Sequence, residues 1–239
     1  KGCPPPAKVA CYKGLKGFIP AVRYAFTLSE VLITLGIIGV AAAMTMPALI
    51  ANNQKKELHT ALKKAYSVMS NAYNRLSYDE GTIVNYDTYG YNNFKPHYIK
   101  YFDILLDCKS EGCVAKESDD GGFGSKIYRN YNKTNQIDSH LLDNGQFILK
   151  DGMLIMMEVD GGKIFITVDV NGYKKKPNVW GQDVFTFEIT KNGKFLPMGT
   201  EGTTYNAQQY CSKTSTSRLN GIACANPALT DETYWKNLP

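Results

Sequence analysis

The sequence predicts an α+β fold, a long N-terminal helix whose second half packs on an antiparallel β-meander head. Three observations carry this. An uncharged, mostly apolar run from Val31 to Ile50 leads into an amphipathic helical stripe. Short strand-like runs between 146 and 197 are separated by turns rich in Gly, Asp and Asn. Four cysteines, Cys108, Cys113, Cys211 and Cys224, follow the apolar run, an even number that suits a disulfide-closed exported domain.

Residues 1–25 read as a targeting leader, to be set apart from the fold. Lys1, Lys8, Lys13, Lys16 and Arg23 are its only charges. Of the 27 Lys and Arg in the chain these five lie in the leader, leaving 22 to balance the 22 Asp and Glu. The net charge of +5 is therefore a leader effect, and the body presents no case for nucleic-acid binding. A basic flank ahead of an apolar span also predicts an N-terminus on the cytoplasmic side and a head on the far side. Lys55, Lys56, Lys63 and Lys64 oppose this weakly, with Glu57 among them.

The helix is expected to begin at Phe26. Thr27 is an N-cap candidate, and Glu30 three residues later completes a Thr-x-x-Glu capping box. From Val31 no charge appears before Lys55, which is long enough for a membrane-spanning segment over 26–52. Glu30 at its edge costs about 2.5–3.5 kcal/mol if carried toward a bilayer centre, so a partner is expected for it. Pro47 lies inside the helical pattern and predicts a kink there. Beyond it Leu58, Leu62, Ala65, Met69, Ala72 and Leu76 recur at alternating four and three spacing. That stripe predicts an amphipathic helix over 53–77, packed on its own domain.

A variable loop is expected over 78–145, with clustered tyrosines (Tyr78, Tyr86, Tyr89, Tyr91, Tyr98, Tyr101) and one short helix from Lys95-Pro96 through Leu106. The stretch 109–140 is polar and predicts little regular structure. The sheet spans 146–197 as four or five strands: Phe147–Leu149, Met153–Val159, Lys163–Val170, Val184–Thr190 and, after an Asn192-Gly193 turn, Lys194–Leu196. The tail 198–239 reads as mostly coil, closed by a disulfide. Four cysteines allow three pairings. Cys108–Cys113 with Cys211–Cys224 is favoured, because each closes a short loop containing a glycine, Gly112 or Gly221.

No catalytic constellation is visible, so an enzyme is not expected. His59, His97 and His140 are scattered, and no nucleophile sits in a recognisable elbow. Gly121–Lys126 lacks phosphate-loop spacing, and the cysteines lack the close pairs of a zinc site. Asp169, Asn171 and Asp183, with Asn178, offer oxygen ligands of the kind Ca²⁺ takes. EF-hand spacing fails, however, and Asx residues beside Gly serve turns first. Glu117, Asp119 and Asp120 are a weaker set of the same kind. No cofactor is expected.

The segment Ala25-Phe26-Thr27-Leu28-Ser29-Glu30-Val31-Leu32-Ile33 resembles the prepilin processing motif of type IV pilins and type II secretion pseudopilins. The likeness comprises the basic leader, Phe-Thr-Leu, a Glu in fifth place counting from Phe26, and the long apolar helix. Pro47 falls where helices of that family kink. Asp169-Val170-Asn171-Gly172 through Pro177-Asn178, Gly181, Asp183 and Phe185 looks like the heads of related bacterial proteins. The resemblance implies a pilin-like fold and a chain held in a bacterial inner membrane, with a periplasmic head, before it enters a filament. It implies partners too: a prepilin peptidase that cuts between Ala25 and Phe26 and N-methylates Phe26, other pilin or pseudopilin subunits, and an inner-membrane assembly platform. Glu30 would neutralise the N-terminal amine of a neighbouring subunit. Two positions depart from the pattern, Ala25 where Gly is usual and Ser29 where an apolar residue is usual. A second reading is an exported or membrane-anchored binding protein that uses residues 1–43 as a signal peptide, with Ala41-Ala42-Ala43 as the small-residue site.

Overall fold

The computed structural model describes residues 27–110, 112–114 and 127–239. Helix α1 runs from Leu28 to Glu80. Gly81 follows at φ 59°, a left-handed residue that stops a helix without the steric cost a side chain would add. The helix thus ends four residues past Leu76, and Pro47 lies within it. The chain divides into two units inside α1, Lys1–Ala48 and Leu49–Pro239.

In the second unit the stripe is buried as its spacing predicts: Leu58, Leu62, Ala65, Met69, Ala72 and Leu76, joined by Tyr73. It packs on one face of an antiparallel sheet of six strands in sequential order. These are β1 (Ile104–Asp107), β2 (Gly145–Leu149), β3 (Leu154–Asp160), β4 (Lys163–Asp169), β5 (Val184–Ile189) and β6 (Phe195–Pro197). Register follows the period of two. Phe147, Ile155, Met157, Ile164, Ile166, Val168, Phe185, Phe187 and Ile189 face α1. Tyr66 stacks on Phe187 with ring centroids 5.5 Å apart, and the Tyr98 hydroxyl donates to the Met69 carbonyl at 2.8 Å.

Several expectations need correction. The loop 78–145 carries more regular structure than the one short helix expected. It holds α2 (Tyr86–Tyr89), α3 (Lys95–Tyr98), a 3₁₀ turn (Ile99–Tyr101) and the whole of β1. The helix expected from Lys95 through Leu106 stops early, because Phe102 turns to extended backbone and Ile104–Asp107 pair with β2 instead. Hence there are six strands rather than four or five, and the sheet begins before 146. The sheet is also buried on its second face, where Leu154, Met156, Phe165 and Val184 meet Tyr128, Ile137, Leu142, Trp180, Met198 and Ile222. The tail is mostly turn and coil, as expected, but it also carries short helices. It contains α4 (Ala207–Tyr210), α5 (Ala225–Thr230) and two 3₁₀ turns, and it puts Ala225, Ala228, Tyr234 and Trp235 into the core beside α1. Disulfides join Cys108 to Cys113 and Cys211 to Cys224.

Candidate functional site

Two places gather the residues singled out in the sequence. The first is the start of α1. Ala25 and Phe26 lie outside the described residues, as do Cys3, Cys11, Glu117, Asp119, Asp120 and Gly121–Lys126. Thr27 and Glu30 form a reciprocal cap: the Thr27 amide and hydroxyl each donate to Glu30 Oε2 at 2.8 Å, and the Glu30 amide donates to Thr27 Oγ1 at 3.2 Å. Two orphan amides of the first turn are satisfied in this way. From Leu28 to Ile50 the large apolar side chains are exposed, Leu28 at 77 % and Met44 at 75 %. This is the one described helix long and apolar enough to cross a membrane. Such a surface is unstable in water and needs lipid or other helices around it. Thr34 and Thr45 return their hydroxyls to carbonyls of the preceding turn, so they add no free polar group to it.

The second place is the loop between β4 and β5. Asp169 and Asp183 are both fully buried. Asp169 Oδ1 accepts the amides of Gly172 (2.8 Å) and Asn171 (3.3 Å), and its Oδ2 accepts the Tyr128 hydroxyl (2.9 Å). Asp183 Oδ2 accepts the Asn178 amide and Oδ1 the Val179 amide, each at 2.7 Å. Both carboxyls are pushed above the usual aspartate range, first by burial and, for Asp169, next by the charge of Asp183. The loop's tightness is backbone-deep. Gly172 sits at φ 80°, and a Cβ there would come within 2.6 Å of the Gly152 carbonyl. Of the set considered for Ca²⁺, Asp169, Asn171 and Asp183, the two carboxylates serve as acceptors for five hydrogen bonds from the chain itself. The Asn171 side-chain nitrogen donates to the Lys176 carbonyl (3.1 Å). Among the described residues no group of three or more His, Cys, Asp or Glu side chains is placed to hold a metal ion. The arrangement does the work of a turn clamp, holding the long β4–β5 connection against the sheet.

Sequence reasoning passed over two further clusters. Glu158, on β3, has a carboxyl pushed up to about 8 by burial and then by Asp143 and Asp160. Asp143 is itself raised by burial. No sequence spacing links 143 to 158; the sheet register does, since the Asn144 amide donates to the Met157 carbonyl at 2.9 Å. The other is Lys174–Lys176, brought beside α1 by a contact from Gln54. The three consecutive lysines were a visible signal, but their neighbour was not.

Compared with models of known protein families, with curated proteins and with solved structures, the chain matches none.

Proposed function

We propose that this chain is a pilin-like structural subunit, cut by a prepilin peptidase between Ala25 and Phe26. It is then assembled through its N-terminal helix into a type II secretion pseudopilus or a type IV pilus-like filament. One observation carries the reading: α1 exposes an apolar surface from Leu28 to Ile50 and keeps a single ionisable side chain there, Glu30, in its first turn. An apolar helix of this length suits a bilayer first and a bundle of like helices afterwards. A carboxylate carried into either is tolerated when it meets a cation and hydrogen-bond donors. The amine freed at Phe26 of another subunit supplies both. Misdocked subunits leave Glu30 unpaired, so the charge favours one axial register. The subunit would sit in a bacterial inner membrane with its N-terminus cytoplasmic and its head outside, with the assembly platform and other subunits as partners.

The cap geometry makes the test sharper. Gln serves in place of Glu in a capping box, so Glu30→Gln keeps the local role and removes the charge. Thr27→Ala does the reverse. We expect Glu30→Gln to insert in membranes normally and to lose filaments by electron microscopy, and Thr27→Ala to retain them. Filaments of normal abundance in Glu30→Gln would remove the pairing argument. Mass spectrometry of the mature chain should find N-methyl-Phe26 at its start. A start at Met44 would instead establish ordinary signal-peptide export.

A further inference from the structure

The loop after β4 carries Lys174, Lys175 and Lys176, all exposed. It is tied to α1 where Gln54 Nε2 donates to the Lys176 carbonyl at 3.4 Å, across 122 residues of sequence. Gln54 directly precedes Lys55 and Lys56 on the helix. It lies four residues after Ile50, the end of the apolar run, an axial distance of about 6 Å. Five lysines therefore collect just past the apolar run. Among the described residues none of the five is ion-paired, whereas Lys64 pairs with Asp151 at 2.8 Å and Lys150 with Asp103 at 2.7 Å. Glu57 is the only acid between 51 and 64, and there is none between 170 and 182. The Lys174 ammonium lies 5.8 Å from the centre of the Tyr173 ring, the aromatic-plus-lysine chemistry that suits a membrane–water interface.

We propose that Lys55, Lys56, Lys174, Lys175 and Lys176 form a basic collar that holds this end of the head on a bilayer surface bearing anionic headgroups. The inference rests on reading the apolar run as a membrane span. Clusters of about four to eight basic side chains beside a membrane helix bind anionic lipid, and the attraction decays within a Debye length. The collar meets both requirements: five cations, and a place on the chain within one or two helical turns of the apolar run. Long lysine stems let the ammonium groups reach the headgroup level while the loop stays hydrogen-bonded to α1 at Gln54. A nucleic-acid or acidic-protein partner would satisfy the charge alone but not its position at the end of an apolar helix.

The full chain, reconstituted in lipid nanodiscs, tests this with trypsin, which cuts after Lys174 and Lys175. Cleavage there is followed by mass spectrometry relative to the exposed Lys191, whose carbonyl is held by Asn85 beyond the far end of α1. With about 30 % phosphatidylglycerol we expect cleavage at 174–175 to slow about fivefold against pure phosphatidylcholine, and to recover in about 0.5 M salt. The double variant Lys55→Gln/Lys56→Gln keeps both cut sites and should lose most of the protection. Equal rates in the two lipids, with the chain inserted, overturn the collar. Protection by free glycerol phosphate in neutral discs also overturns it, by identifying a soluble-anion site. Recovery of the chain outside the discs overturns the membrane-span reading, and the collar with it.

Discussion

Glu158 and the Asp169–Asp183 pair are carboxyls kept above their ordinary range, first by burial, then for Glu158 by the charges of Asp143 and Asp160 and for Asp169 by that of Asp183. The sign of the consequence is fixed. A carboxyl that holds its proton in the folded state after the unfolded chain has released it contributes stability that is lost as pH rises. For Glu158 the window runs from its ordinary value of 4.5 to about 8, and the groups facing it are Asp143, Asp160 and Asp138. Thermal unfolding of the full chain should therefore show a melting temperature that falls across this window. Glu158→Gln should flatten the slope in part, leaving the share of the aspartate pair. A slope unchanged by the substitution would show that Glu158 is ionised in the fold. Asp183 has a different role as well, because its two oxygens satisfy the buried amides of Asn178 and Val179. Asp183→Ala leaves both without acceptors and should cost about 2–4 kcal/mol in chemical denaturation.

Helix α1 contains two chemically distinct halves. In its second half Leu62 and Met69 are fully buried against the sheet, so Leu62→Ala should destabilise the head by about 2–5 kcal/mol. In the first half Leu35 is 61 % exposed, so Leu35→Ala should leave head stability unchanged and weaken only partition into lipid. Comparing denaturation of the two variants in detergent separates anchor from core. The Cys211–Cys224 disulfide spans 13 residues, and loop-closure entropy gives it about 3 kcal/mol. It holds the segment that delivers Ile222, Ala223 and Ala225 to the core. Strand β1 is the opposite case, an edge strand with all four residues exposed and an irregular register between Ile104 and Leu106. Such irregularity blunts an edge against unwanted pairing.

In the head, Leu49–Pro239, the sheet is a central layer with apolar material on both sides, and the tail supplies part of each. Ile222 and Ala223 join the second face, while Ala225, Ala228, Tyr234 and Trp235 join the face shared with α1. Trp235 also stacks on His59 of α1, with centroids 5.2 Å apart. A chain truncated after Thr200 should therefore lose cooperative unfolding, seen as loss of the near-ultraviolet circular dichroism signal. A tail that were only coil would allow the truncated head to unfold as sharply as the full one.

What was legible in the sequence was what repeats locally. The cap at Thr27 and Glu30, the apolar run, the buried stripe from Leu58 to Leu76 and the strands around the Asp160-Gly161-Gly162 and Asn192-Gly193 turns all follow from spacings within a few residues. That period and composition sufficed to place a long helix ahead of an antiparallel sheet. Only the tertiary structure decided the features made by residues far apart in the chain. Ile104–Asp107 become a strand because β2, some forty residues later, offers an edge to pair with. The tail is ordered because two faces of a sheet need covering. Tyr128 reaches Asp169, and Gln54 reaches Lys176, through long-range hydrogen bonds that no local period encodes. Chain entropy sets that division: short-range patterns are cheap to close and leave a signature in sequence, whereas long-range contacts form only once the whole head has paid for its ordering.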